Sequence, residues 1–166
     1  RVDGLIIIGG QLSEEKLQAV ARKTPLIVVA REVNSLPDNC LYVNNFDGGY
    51  NATRYLIEMG HRDIVHITAP NFNQIAIDDV YQRYMGYQKA IEDAGWPLDS
   101  RLVVEGNLQQ QSGVLAVEML LARGRPFSAI FTANDQMAFG ARLALYRRGI
   151  RVPEDVSLIG FDDEAF

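Results

Sequence analysis

Cysteine and histidine are nearly absent from this sequence: 166 residues contain one Cys, Cys40, and two His, His61 and His66. A lone cysteine forms no internal disulfide and has no partner at zinc-ligand spacing, which favours a reducing compartment and makes the cytoplasm the default. Neither histidine has a Cys or carboxylate at ligand spacing, so no metal site is expected. His61 follows a helix-ending glycine and reads as a capping residue; His66 lies within a strand and reads as core. Positive charge is scarce too, with 16 Lys and Arg against 21 Asp and Glu and a net charge of -5. Phosphate backbones are held by clustered Lys and Arg, so this chain by itself is not expected to hold nucleic acid. Its richest basic run, Arg142, Arg147, Arg148 and Arg151, reads as a solvated helix end that complements the helix dipole.

Long hydrophobic runs are missing as well. None approaches the roughly 20 residues of a membrane-spanning helix. Arg1-Val2-Asp3-Gly4 opens directly into a strand rather than into a signal peptide. The dinucleotide fingerprint Gly-x-Gly-x-x-Gly fits neither Gly9-Gly10 nor Gly48-Gly49, and no Gly-x-x-x-x-Gly-Lys-Ser/Thr cradle occurs. No cofactor is therefore expected. The carboxylate pairs Asp78-Asp79 and Asp162-Asp163 have no companion base or nucleophile beside them, so no catalytic constellation is visible.

What is present is the composition of a soluble globular protein, 48% hydrophobic and 22% charged. Gly4 to Ile8 is a continuous apolar run, the mark of a strand buried on both faces. A helix from Ser13 through Ala21 stops at Thr24-Pro25, and Leu26 to Ala30 is the next buried strand. Arg31 to Asn39 reads as a loop and Leu41 to Val43 as a third strand, followed by a helix to Met59 closed by Gly60. Strand 63–68, helix 81–94 closed by Gly95, strand 102–105, helix 112–122, strand 128–132, a helix to Arg148 and strand 156–160 continue the alternation. Crossovers of that length suit right-handed parallel connections, so the fold class is α/β with doubly wound parallel sheets. Both ends read as cut, because each lies at a buried strand with no helix to cover it.

In an open α/β sheet, ligands bind in the crevice outside the strand carboxyl ends. Polar side chains recur there: Asn44 and Asn45, Asn71 to Gln74, Asn107, Asn134-Asp135, and Asp162-Asp163. The period changes from 2 to 3.6 around Asn134, so Asn134 is both a helix cap and a candidate pocket wall. Asn and Asp with an Arg donor hold uncharged hydroxyls well, and Phe72 can pack against a sugar face, so the rim suits a polyol. Each of these residues, taken alone, also serves as a turn former.

The chain resembles the lactose repressor and galactose repressor family, whose cores share the type I fold of periplasmic sugar-binding proteins. The likeness covers nearly the whole chain. It rests on Val2-Asp3-Gly4-Leu5-Ile6, Asn45-Phe46-Asp47-Gly48-Gly49-Tyr50, Tyr55 through Ile64, Arg83-Tyr84-Met85-Gly86-Tyr87, Ala133 through Ala138 and Val152 through Asp163, in that order. The resemblance implies two lobes, residues 1–43 in the DNA-proximal lobe and 44–166 in the distal one. It implies effector contacts at Arg83, Asn134 and Asp162 and adds Asn107, Leu108 and Arg31 to the candidate effector-binding set, which Phe72 joins from the reading of the rim. Leu108 stands where several relatives place an aromatic platform, and Arg31 where some carry a carboxylate, which points to a different ligand, including one with a negative group. The family's helix-turn-helix headpiece is not in this chain.

Three functions follow as alternatives. The first is the effector-sensing core of a transcriptional repressor, bound to a sugar or nucleoside-like molecule, forming a homodimer through core helices that include Ser112, Val114 and Phe139, and reaching operator DNA only through the absent headpiece. The second is a sugar-binding protein of a transport or receptor system, and the third an enzyme, disfavoured by the missing constellation.

Overall fold

The structure, a computed structural model, describes residues 2–9, 12–69 and 79–164. Its elements run β1 (Leu5–Ile8), α1 (Glu14–Ala21), β2 (Leu26–Val29), β3 (Cys40–Leu41), α2 (Asn45–Glu58), β4 (Ile64–Thr68), α3 (Asp79–Asp93), β5 (Val103–Glu105), α4 (Gln110–Arg123), β6 (Ala129–Thr132), α5 (Asp135–Arg147) and β7 (Ser157–Ile159). The chain divides into two compact units, Arg1–Asn44 and Asn45–Phe166.

In the first unit three parallel strands lie in the order β1-β2-β3, with Leu5 opposite Leu26 and Val28 opposite Cys40. One face is packed: Leu17 of α1, Leu26, Val28 and Val33 form a buried cluster with Ile7 against it. The expected burial of β1 on both faces is not found, since Ile6 is 72% and Ile8 76% exposed. A strand sends alternate side chains to opposite faces, and a run of identical isoleucines cannot say which face is covered. The third strand is Cys40–Leu41 rather than Leu41 to Val43, and a 3₁₀ turn at Pro37–Asn39 precedes it.

The second unit holds four parallel strands in the order β5-β4-β6-β7. Its strands are short enough for the alternation to be read directly. Val65, Ile67 and Ile130 point into a core shared with Val114, Val117 and Leu120 of α4 and Met137, Ala141 and Leu145 of α5. Ile64, Ala129 and Phe131 point the other way, against Leu56 of α2 and Tyr87 and Ile91 of α3. Register pairs Val65 with Ile130 and His66 with Phe131, so each face is apolar across neighbouring strands. The helices are drawn together by glycine. A Cβ on Gly49 would lie 2.1 Å from the Arg83 carbonyl oxygen, and one on Gly113 would lie 2.1 Å from that of Met137, so only glycine lets α2 meet α3 and α4 meet α5 so closely.

His66 is core, as expected, and is fully buried. His61 is not a cap through its side chain. Its ring joins the hydroxyls of Ser128 at 2.9 Å and Ser157 at 2.8 Å, fastening the entrances of β6 and β7 to the turn after α2. Among the described residues no helix is long and apolar enough to cross a membrane.

Candidate functional site

Because all four strands of the second unit are parallel, their carboxyl ends share one edge. The segments that leave this edge carry Gly106-Asn107-Leu108 after β5, Ala133-Asn134 after β6, and Gly160-Phe161-Asp162 after β7. The order reverses about β4, with β5 on one side and β6 and β7 on the other, which is where an open α/β sheet leaves a crevice.

Arg83, on α3, is the centre of the arrangement. It is only 8% exposed, an unusual position for a guanidinium, and such a group is buried only when its donors are matched. Nε donates to Asn45 Oδ1 at 2.8 Å, Nη1 donates to the Ala133 carbonyl at 2.5 Å, and Nη2 lies 3.3 Å from Asp162 Oδ1. The guanidinium carbon sits 3.8 Å from the centroid of the Phe161 ring. Phe161 in turn occupies the space left by Gly48, where a Cβ would come within 2.6 Å of the ring. The fork of Arg83 is thus held by α2, the exit of β6 and the exit of β7 together.

Asp162 is the exposed partner. Its φ of 105° and the 58° of Asp163 place two consecutive non-glycine residues in the left-handed region, a local strain of the kind found at binding sites. Burial raises its carboxyl pKa from the ordinary value against the pull of Arg83, and the nearby Asp135 and Glu164 push the same way as burial. Asp135 is itself tied in, accepting from the Glu164 N–H at 2.8 Å, and Gln136 donates to the Glu164 carboxylate at 2.9 Å.

Asn134 is a cap, accepting from the Met137 N–H at 3.1 Å, and also a strut, since its Nδ2 donates to the Leu108 carbonyl at 2.9 Å. Leu108 has φ 66°, again left-handed, and is 36% exposed. Its loop is fixed from both sides: Asn107 Oδ1 accepts from the Gln109 N–H, and the Asn107 N–H donates to Ser112 Oγ. Arg83, Asn134 and Asp162 therefore lie on one edge of one sheet, Arg83 and Asp162 in direct contact and Asn134 linked through its own backbone neighbour Ala133. Asn107 and Leu108 join them through Asn134.

Arg31 belongs to the first unit, where Nη1 donates to the Leu12 carbonyl at 2.6 Å. Phe72 lies outside the described residues, as do Asn71 to Gln74. Ser112 ties the preceding loop to the start of α4, its hydroxyl accepting from the Asn107 N–H and donating to the Gln109 carbonyl. Val114 faces inward at 9% exposure, and the large apolar residues that α4 turns to solvent are Leu115 and Met119. Phe139, on α5, is half-buried. The reason is the helical period: Val114 shares the face of Val117 and Leu121, whereas Leu115 and Met119 are four apart on another.

Two holders of Arg83, Phe161 and Ala133, were not apparent as site residues in the sequence. A backbone carbonyl carries no signal in sequence, and the seating of Phe161 against Gly48 is set by the fold.

A family model described as "Periplasmic binding proteins and sugar binding domain of LacI family" matches residues 1–163. The transcriptional repressor PurR of Pasteurella multocida is 34% identical over 165 residues, 98% of this chain and 48% of the relative. The transcriptional regulator AscG of Escherichia coli is 35% identical, covering 99% of this chain and 48% of the relative. A crystal structure of the E. coli repressor ascG superposes with a TM-score of 0.88 at 33% identity, covering 99% of this chain and 59% of that one. A sugar-binding transcriptional regulator of the LacI family from E. coli, complexed with phosphate, gives a TM-score of 0.86 at 34% identity, with the same coverage. The chain spans about half the length of the curated relatives it matches. It has the doubly wound core of a type I periplasmic binding protein, and it belongs to the family of periplasmic binding proteins and LacI-family sugar-binding domains.

Proposed function

We propose that this chain is the effector-sensing and dimerising core of a DNA-binding transcriptional repressor, with residues 1–43 in its DNA-proximal lobe and 44–166 in its distal lobe. The observation that carries the proposal is the buried Arg83, matched on three sides and facing the exposed carboxylate of Asp162 at the strand carboxyl ends. A guanidinium fork and a carboxylate set side by side donate to and accept from neighbouring hydroxyls, which suits a neutral sugar or a nucleoside-like effector. Such an effector shifts operator affinity by preferring one arrangement of the lobes. Operator contact belongs to a helix-turn-helix headpiece outside this chain, and a net charge of -5 agrees with that division of labour. A regulator of this kind works beside its operator in the cytoplasm.

A sugar-binding protein of a transport or receptor system shares the fold. The named relatives are repressors and regulators rather than transport proteins or enzymes, which ranks the repressor reading first.

The test is a thermal-shift titration of a sugar and nucleoside panel against the full-length protein and its Arg83→Ala variant. A bound effector raises the melting temperature of the wild type in proportion to the logarithm of its concentration. Loss of charge-assisted contacts of about 1.5–3 kcal/mol weakens binding by about tenfold or more in the variant. Equal binding by both proteins overturns the site assignment.

A further inference from the structure

The chain passes from the first unit to the second between Asn44 and Asn45. Asn45 is the first residue of α2 and is only 6% exposed, and its side-chain oxygen accepts from Arg83 Nε at 2.8 Å. A buried carboxamide at a chain crossing is costly unless its polar atoms are matched, and here the match is the central arginine of the candidate site. We propose that Asn45 is a positioning residue that ties effector occupancy at Arg83 to the connection between the two units.

Three observations support this. First, the bond leaves from Nε, whereas the two terminal nitrogens of Arg83 reach Ala133 and Asp162, so Asn45 orients the fork from behind while the fork's far side addresses the strand ends. Second, the first turn of α2 is seated on α3 by backbone. A Cβ on Gly86 would lie 2.2 Å from the Phe46 carbonyl oxygen and one on Gly49 would lie 2.1 Å from that of Arg83, so residues 45–49 and 83–86 are packed backbone to backbone, with no side chain between them to absorb a shift. Third, Phe161 lies under the guanidinium at 3.8 Å and against Gly48, closing the remaining route by which Arg83 could turn away without disturbing α2. Any displacement of Arg83 by a ligand therefore reaches Asn45, at the crossing itself, without an intermediate side chain. The coupling needs only that the ligand prefer one setting of this bond to another.

The inference rests on the repressor reading and is tested with the full-length protein. Asn45→Leu removes the acceptor at similar volume, and Asn45→Asp keeps an acceptor oxygen. Effector affinity is measured by calorimetry, operator affinity is measured with and without saturating effector, and the unliganded melting temperature is recorded. For Asn45→Leu, effector affinity falls by about tenfold, as for a lost hydrogen bond to a charged group. The ratio of operator affinities with and without effector also moves toward one. Asn45→Asp keeps both close to wild type. A merely structural role lowers the melting temperature and leaves that ratio intact, which overturns the proposal. So does a responsive wild type whose two variants behave alike. Should Asn45→Leu not fold, Asn45→Ser, too short to span the bond, takes its place under the same criteria. A wild type that responds to no sugar or nucleoside overturns the repressor reading itself, and this inference with it.

Discussion

His66 donates through Nδ1 to the Phe131 carbonyl at 3.1 Å, while its Nε2 lies buried with no hydrogen-bond partner. The ring is stacked with Tyr87 at 5.0 Å and Tyr84 at 5.7 Å, so a proton on Nε2 would enter an aromatic slab with no acceptor. Burial lowers its pKa from 6.5 to about 3. The fold keeps the neutral ring, whereas the unfolded chain takes up a proton below pH 6.5. Stability is therefore fully present above pH 6.5 and drains as the pH falls toward 3, at a rate approaching about 1.4 kcal/mol per pH unit. Urea midpoints collected across that range should follow this slope in the wild type and flatten in His66→Phe.

Asp162 has the opposite sign. Its raised pKa means the fold favours the neutral acid, so its contribution is complete at low pH and is lost as the pH rises through the folded value. Asp162→Asn should raise the melting temperature slightly at pH 7, an advantage that vanishes in acid below the ordinary carboxylate range, and the same variant should lose effector affinity by about tenfold. Calorimetric scans at both pH values, with a ligand titration at neutral pH, check the two halves separately.

Gly49→Ala and Gly113→Ala each force a methyl onto the backbone carbonyl of a facing helix. Overpacking of this kind costs about 1–3 kcal/mol. The two sites belong to different helix pairs, α2 with α3 and α4 with α5, so the double variant should lose the sum, measured by equilibrium unfolding in urea.

For the proposed homodimer, the outward residues of α4 are the ones to alter. Met119 is 49% and Leu115 54% exposed. Met119→Asp should move the full-length protein toward the monomer in sedimentation at low concentration with its circular dichroism unchanged. Val114→Ala should leave sedimentation alone and cost roughly 1.6 kcal/mol, at about 0.8 per buried carbon.

Much of this architecture was legible because the chain marks its own boundaries. Gly60, Gly95, Gly124 and Gly149 all have positive φ at or just past helix ends, and these are positions that turn chemistry reserves for glycine. Buried strands such as Ile64–Thr68 and Ala129–Thr132 declare themselves by apolar runs too short for helices. What remained hidden depends on the third dimension. Ile6 and Val65 carry the same local signal, yet one is 72% exposed and the other fully buried, a difference set by what lies across the sheet. Within the candidate site, Arg83, Asn134 and Asp162 were legible from motif position, and Asn134 and Asp162 also from their places at strand ends. The Ala133 carbonyl and the ring of Phe161 were invisible because their roles arise from proximity to Arg83 and not from their own chemistry.

The hydrogen bonds of Arg83 reach back 38 residues to Asn45 and forward 50 to Ala133, and its ionic partner Asp162 comes later still, after the last strand. A polypeptide leaves the ribosome amino end first, so Arg83 lacks its full set of partners until β7 has emerged and docked beside β6. On the proposed assignment, a nascent chain halted before Asp162 holds an incomplete effector site. Arg83 is thus fully engaged only once β6 and β7 are both in place.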